Sequence, residues 1–278
     1  MRRVICVINQ KGGTGKTTTT VNISACLANK GYRTLIIDIE PQANASLSLG
    51  VDISTLKKTM FDILLEDDMG LDDIIIETTT KNLMLAPTHV DLANTDINLA
   101  DRQDKQFRLR DKIAKMREEF DYILIDCPPS LSLLPLNALT ASKEVIIPLL
   151  ADYLSLEGLE QLMFTIDKVR HNLNPEIKVL GILFCMVDRR MRMTRESIET
   201  VKEHFSELIF NTQMRLCVKL KEAAVFGQSI FEYAPKSKGA EDYKNAAEEI
   251  IRRGDILYRK NLFQLVTPNR IQKFLDTI

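Results

Sequence analysis

Gln10-Lys11-Gly12-Gly13-Thr14-Gly15-Lys16-Thr17-Thr18 decides how the rest of this 278-residue chain is read. It follows the apolar run Val4-Ile5-Cys6-Val7-Ile8 and precedes residues 21–28, whose apolar side chains recur at helical spacing. A glycine loop between a buried strand and a helix N-terminus is a setting in which backbone N–H groups and the helix dipole hold phosphates. The common pattern is G-x-x-x-x-G-K-[ST]. Gly15-Lys16-Thr17 fits it, whereas Gln10 stands where the first glycine would be, and Lys11, Gly12 and Gly13 follow. The stretch is therefore a phosphate loop of a deviant kind with a second lysine. Gly12, Gly13 and Gly15 let the backbone approach anionic oxygens closely, with Thr14 and Thr18 completing the cradle. Lys16 is expected at the β- and γ-phosphates and the Thr17 hydroxyl on Mg²⁺. Lys11 precedes the tight turn, so its side chain is expected to reach into a partner's site rather than its own.

Short apolar runs alternate with helical patterns along the chain. Strands are expected at 3–9, 33–38, 83–86, 121–126, 144–149 and 178–185, and helices near 16–30, 105–119, 131–142, 155–173 and 194–207. Continuous apolar strands alternating with helices imply an α/β fold: a mostly parallel, twisted sheet with helices on both faces. Ligands of such sheets bind at the C-terminal ends of the strands. Thr59–Leu65 reads as a short amphipathic helix and residues 91–106 as a polar helix or loop.

Lys and Arg number 37 against 38 Asp and Glu, a net charge of −1, so any nucleic-acid binding must come from a local patch. The five cysteines form no C-x-x-C pair and four lie in or beside apolar runs, which predicts buried thiols rather than a disulfide scaffold or zinc site. The first residues enter a strand directly and no apolar run reaches membrane-spanning length, so a cytoplasmic location is expected.

Two further stretches carry carboxylates at strand ends. Thr34-Leu35-Ile36-Ile37-Asp38 runs into Ile39-Glu40-Pro41-Gln42, and Tyr122-Ile123-Leu124-Ile125-Asp126 runs into Cys127-Pro128-Pro129-Ser130. Beside a phosphate loop, Asp38, Glu40 and Asp126 are candidates to hold Mg²⁺ or to orient an attacking water. The two prolines give a stiff turn suited to sensing a γ-phosphate.

With Lys11–Thr18, Asp38–Asn44, Asp126–Leu131 and Lys236-Ser237-Lys238-Gly239-Ala240-Glu241 together, the chain resembles the ParA branch of the deviant Walker A ATPases, relatives of MinD, over roughly residues 1–253. The resemblance implies an ATP- and Mg²⁺-dependent ATPase of the P-loop NTPase fold. It implies a nucleotide-sandwich homodimer that binds double-stranded DNA non-specifically, associates with the nucleoid, and is released when a ParB-like, cargo-marking partner stimulates hydrolysis. By position, Lys11 resembles the lysine that crosses to the partner's phosphates, Lys16 and Thr17 take the loop roles, and Asp126 and Asp38 lie at the metal and water. Glu40 departs from the aspartate usual at the water-positioning site, being one methylene longer. A misplacement of about 1 Å in a catalytic group costs roughly a hundredfold in rate, so slow hydrolysis is expected.

Val187–Arg195 contains Arg189, Arg190, Arg192 and Arg195, and Arg215, Lys219 and Lys221 form a second basic group. Such residues bind nucleic-acid phosphates in a salt-dependent, sequence-independent way. Arg190 and Lys219 match basic positions that ParA-type proteins use for DNA. Arg215-Leu216-Cys217 departs from the family's Pro-Arg-Asn. No aromatic residues interleave, so base stacking is not expected. Residues 1–254 are read as the ATPase domain and 255–278 as a helical extension, in which Ile271, Phe274, Leu275 and Ile278 share one helical face. A MinD-like membrane-positioning ATPase and an ATP-dependent DNA-binding regulator with slow turnover are the competing readings, and the few cations of the tail speak against the membrane.

Overall fold

The computed structural model describes residues 2–130 and 132–260. In chain order its elements are β1 (Arg3–Val7), α1 (Lys16–Asn29), β2 (Thr34–Asp38), α2 (Asn44–Ser48), α3 (Met60–Leu65), β3 (Ile76–Glu77), β4 (Leu83–Ala86), α4 (Thr95–Asn98), α5 (Arg108–Lys115), β5 (Tyr122–Asp126), α6 (Leu133–Ala141), β6 (Glu144–Leu150), α7 (Tyr153–Asn172), β7 (Lys178–Cys185), α8 (Arg192–Phe205), α9 (Val218–Val225), α10 (Ile230–Tyr233) and α11 (Lys238–Lys260). The strands form one sheet in the order β3-β4-β2-β5-β1-β6-β7. All neighbours run parallel except β3 against β4.

The central strands are buried on both faces because their apolar residues do not alternate with polar ones. Val4, Cys6 and Ile8 pack with α3 and α5–α8, while Ile5 and Val7 pack with α1 and α11. The six strands expected from sequence are present, so the α/β class and the parallel sheet hold. The two-residue edge strand β3 is too short to carry a pattern. α5 ends at Lys115, short of the expected 119, and residues 91–106 include a 3-10 turn at Val90–Asn94 followed by the single turn of α4. Thr59 caps α3 by accepting from the Phe61 N–H, as its place before the amphipathic run suggests. Among the described residues all five cysteines are free and four are buried.

Helix α11 ties the end of the domain back to its first strand. The Arg3 guanidinium donates from Nη1 to the Ile250 carbonyl at 3.0 Å and from Nε to Glu144 Oε1 at 3.0 Å, both buried. Gly254 makes room for it, since a Cβ there would overlap the guanidinium. The boundary expected at residue 254 falls inside α11, which runs on to Lys260. The amphipathic stretch 267–278 lies outside the described residues.

Glu144→Gln strands a buried arginine without its counter-charge, so it should destabilise the fold by about 3–5 kcal/mol. Urea unfolding of the variant checks this, and a loss under 1 kcal/mol contradicts the anchoring role.

Candidate nucleotide site

The segments that follow β1, β2, β5 and β7 line a single cavity at one edge of the sheet. The loop after β1 turns through Gly13 at φ +73° and Gly15 at φ +89°, conformations that glycine adopts without strain. Gly15 is the N-cap of α1 and no side chain caps the helix there, so the first turn presents its N–H groups for an anion. Lys16 is buried, with Nζ donating to the Lys11 carbonyl at 3.2 Å. Burial pushes its ammonium pKa down, against the pull of Asp126 and Glu40. Thr14 is buried and Thr18 lines the cavity beside the loop. That cavity has a volume of about 450 Å³, and Gly12, Lys16, Glu40, Gln42, Pro129 and Met186 are among the residues on its walls.

The register of β2 against β5 sets Asp38 opposite Asp126 at the ends of adjacent parallel strands. Thr17 Oγ1 donates to Asp126 Oδ2 at 2.7 Å and Thr20 Oγ1 to Asp126 Oδ1 at 3.2 Å. Burial first, and Asp38 second, push the Asp126 carboxyl up to about 8. Burial pushes Asp38 up to about 6 against hydrogen bonds from Ser46 and the Glu40 N–H. The oxygen donors of Thr17 and Asp126 suit Mg²⁺, which takes few protein ligands and keeps water and phosphate for the rest. Among the described residues, no group of three or more His, Cys, Asp or Glu is positioned to hold a metal by itself.

Asp38 and Glu40 divide their work. Asp38 accepts from Ser46 N at 2.9 Å, Ser46 Oγ at 2.8 Å and Glu40 N at 3.1 Å, so it shapes the loop between β2 and α2. Glu40 accepts from Gln42 N at 3.3 Å and faces the cavity. Of the two, Glu40 is the one that lines the cavity, whereas Asp38 is occupied by donors of its own loop.

Lys11 is held on its own chain. Its Nζ donates to Asp152 Oδ1 at 2.9 Å and to Ser155 Oγ at 3.1 Å, at the N-terminus of α7. Burial raises the Asp152 carboxyl, but the bonds from Lys11 and Ser155 outweigh it and leave the pKa low. Asp152 and Ser155 were not among the candidates from sequence. Their signal is the Asp-x-x-Ser spacing of a helix cap, and Asp152 indeed accepts from the Ser155 N–H at 2.8 Å.

The basic candidates gather at the β7 end. Arg189, Arg190 and Arg215 line a second cavity of about 700 Å³, joined by Lys238, which sequence reasoning gave no role. Lys219 and the exposed Lys221 lie on α9, which begins two residues beyond Leu216 of that cavity. Several of these cations are engaged: Arg190 with Asp188, Arg189 with Gln213, Arg192 with Glu196 and Lys219 with Glu222. Arg215 is bound most firmly, through Asp242 and Glu241, which joins the loop before α9 to α11.

A family model described as an AAA domain matches residues 2–179. The sporulation initiation inhibitor protein Soj of Bacillus subtilis is 42% identical over 254 residues, covering 91% of this chain and all of that one. The chromosome partitioning protein ParA of Myxococcus xanthus is 41% identical over 251 residues, covering 90% and 88%. Among solved structures, a cobyrinic acid a,c-diamide synthase from Mycobacterium smegmatis with bound ADP and magnesium is similar with a TM-score of 0.80 at 34% identity, covering 92% of this chain and 96% of that one.

Asp126→Asn tests the metal side. A carboxyl whose folded pKa lies near 8, above its ordinary 3.8, keeps its proton where the unfolded chain has lost it. Its contribution to stability is therefore present at low pH and falls as pH rises from about 4 to about 8. In EDTA, the wild-type melting temperature should drop more steeply over that range than that of Asp126→Asn. The variant should also lose the magnesium-dependent part of ATP affinity in calorimetry.

Proposed function

The chain belongs to the ParA/MinD family of phosphate-loop ATPases, and from that membership we propose that it is a DNA-partitioning ATPase working as a nucleotide-switched dimer. It hydrolyses ATP with Mg²⁺. Two ATP-bound copies close face to face, each lending Lys11 to its partner's phosphates. The closed dimer aligns two basic surfaces and holds non-specific double-stranded DNA on the nucleoid. A ParB-like, cargo-marking partner stimulates hydrolysis and opens it. The name of the Myxococcus xanthus relative, a chromosome partitioning protein, supports a partition system, whose cargo is a chromosome or plasmid.

The observation that carries this reading is the position of Lys11. A lysine within the phosphate loop whose ammonium rests on Asp152 and Ser155 is a group with a second destination. The pair is about one-third exposed on both sides. An ion pair of that kind contributes at most about 1 kcal/mol, so the triphosphate of a second copy outcompetes it. Residues 1–254 form the switching domain and 255–278 its extension. Arg189, Arg190, Arg192, Lys219 and Lys221 meet DNA phosphates, whereas Arg215 mainly holds its loop against α11.

Light scattering with a non-hydrolysable ATP analogue and Mg²⁺ should show a dimer for wild type and a monomer for Lys11→Ala. A wild type that stays monomeric overturns the mechanism. Arg190→Ala and Lys219→Ala should each weaken the ATP-dependent shift of non-specific DNA and lower its log–log salt slope by about 1. Unchanged shifts in both variants remove the patch assignment.

Glu40 is expected to set the turnover. Glu40→Asp should hydrolyse ATP faster than wild type, by up to roughly a hundredfold if misplacement is the whole cause. An equal or slower single-turnover rate contradicts that role.

A further inference from the structure

Strand β1 leaves the sheet just before the glycine loop, and its neighbour β6 is built to let it go. Val7 stands opposite Ile146, and the last printed bond of that ladder runs from Ile8 N to the Ile146 carbonyl at 3.1 Å. In a parallel ladder two more bonds would follow, from the N–H of residue 148 to the Ile8 carbonyl and from the N–H of residue 10 to the carbonyl of residue 148. The first cannot form, because Pro148 has no N–H. The Asn9 side chain stands in for the second, with Nδ2 donating to the Pro148 carbonyl at 2.7 Å.

The same amide holds the loop. Asn9 Oδ1 accepts from Lys11 N at 2.9 Å, the bond of an Asx turn, and Asn9 itself is only 1% exposed. Lys11 is thus tied to the end of β6 twice. Its N–H is tied through Asn9 to Pro148, and its ammonium through the ion pair with Asp152, four residues further on. The two ties differ in kind, since the ion pair is about one-third exposed whereas Asn9 is shut off from water. The Lys11 carbonyl accepts from Lys16 Nζ at 3.2 Å and from Thr14 Oγ1 at 3.4 Å.

We infer that Asn9 is a positioning residue for Lys11: it fixes the backbone of that lysine to β6, so that the side chain can leave Asp152 and reach a second copy's phosphates with its root unmoved. This rests on the dimer reading given above. On that reading Lys16 turns from the Lys11 carbonyl to phosphate, and the carbonyl keeps only the long Thr14 bond. The bond from the Lys11 N–H to Asn9 is then the short hold that remains. A shift of the backbone is carried along the flexible four-carbon stem to the ammonium, and a displacement of about 1 Å is enough to spoil an oriented contact. Asn9 lies off the walls of the phosphate-loop cavity, so it acts through Lys11 and not on the nucleotide of its own copy.

Two constants separate this role from a merely structural one. The dimer dissociation constant comes from sedimentation equilibrium with a non-hydrolysable ATP analogue and Mg²⁺. The affinity of a single copy for MgATP comes from calorimetry in a Lys11→Ala background, which keeps the backbone N–H that Asn9 holds. Loss of one buried hydrogen bond changes an equilibrium by about tenfold. Asn9→Ala should therefore weaken the dimer about tenfold and leave the single-copy MgATP affinity within about twofold. Asn9→Ser, whose hydroxyl can still accept from the Lys11 N–H, should recover part of the dimer affinity, and it keeps the test decisive should Asn9→Ala fold poorly. Equal losses in the two constants overturn the inference. A wild type that stays monomeric overturns the dimer reading and this inference together, whereas a dimerising wild type matched by both Asn9 variants overturns this inference alone.

Discussion

Asp38 and Asp126 stand opposite each other at the ends of two adjacent parallel strands, both fully buried. Water would not leave two carboxyls there without help, and their environment holds both well above the ordinary carboxyl range. The surrounding architecture divides the load. Asp38 is satisfied by three donors from its own loop, while Asp126 takes two threonine hydroxyls from the first turns of α1. The start of α1, just after the glycine loop, and the end of β5 are thereby one hydrogen-bonded unit. Mg²⁺ bound with a triphosphate would bring positive charge to these carboxyls, so that ligand and metal would stabilise this part of the fold.

Helix α11 is the second constraint, and it acts at a distance from the phosphates. Tyr243 shares a hydrogen bond of 3.2 Å with Thr19 of α1. Asp242 of the same helix holds Arg215 of the loop before α9, and the Ile250 carbonyl receives Arg3 of β1. One helix thus braces the strand before the phosphate loop, the helix after it and the loop at the β7 end. These ties explain why the far end of the domain belongs to the site although none of its residues lines the phosphate cradle.

How much of this was legible in the sequence depends on how local each signal is. The phosphate loop, the two Asp-terminated strands and the parallel sheet are written in contiguous residues, since strand, glycine turn and helix cap are short-range patterns. The partner of Lys11 was not legible, because Asp152 lies 141 residues away and meets it only when β6 is placed beside β1. The left-handed conformation of Met186, at φ +54°, was hidden for a like reason. Nothing in Cys185-Met186-Val187 announces a left-handed turn, which bonds to Met214 impose from across a loop. α11 could have been read from the spacing of Tyr243, Ala246, Ala247 and Ile250, all buried. Its heavy content of charge on the opposite face concealed it. The departure at Arg215 makes sense only with Asp242 in view, for the pair is a clamp built from residues 27 apart.

The pairing of the basic surface bears on how such a protein could let go of DNA. Arg190, Arg192 and Lys219 each have an acidic partner within a few residues on their own chain. Exposed pairs of this kind contribute little to stability. Under the proposed function they give each of these three cations somewhere to return when a phosphate leaves. Under the proposed function, affinity comes from exchanging acid for phosphate and releasing counterions along the duplex, a balance sensitive to the alignment of two copies. A net charge of −1 points the same way. A strongly cationic chain would cling to DNA in every nucleotide state, whereas a nearly neutral one with locally paired cations depends on dimer geometry to bind. That dependence is what a switch driven by ATP requires.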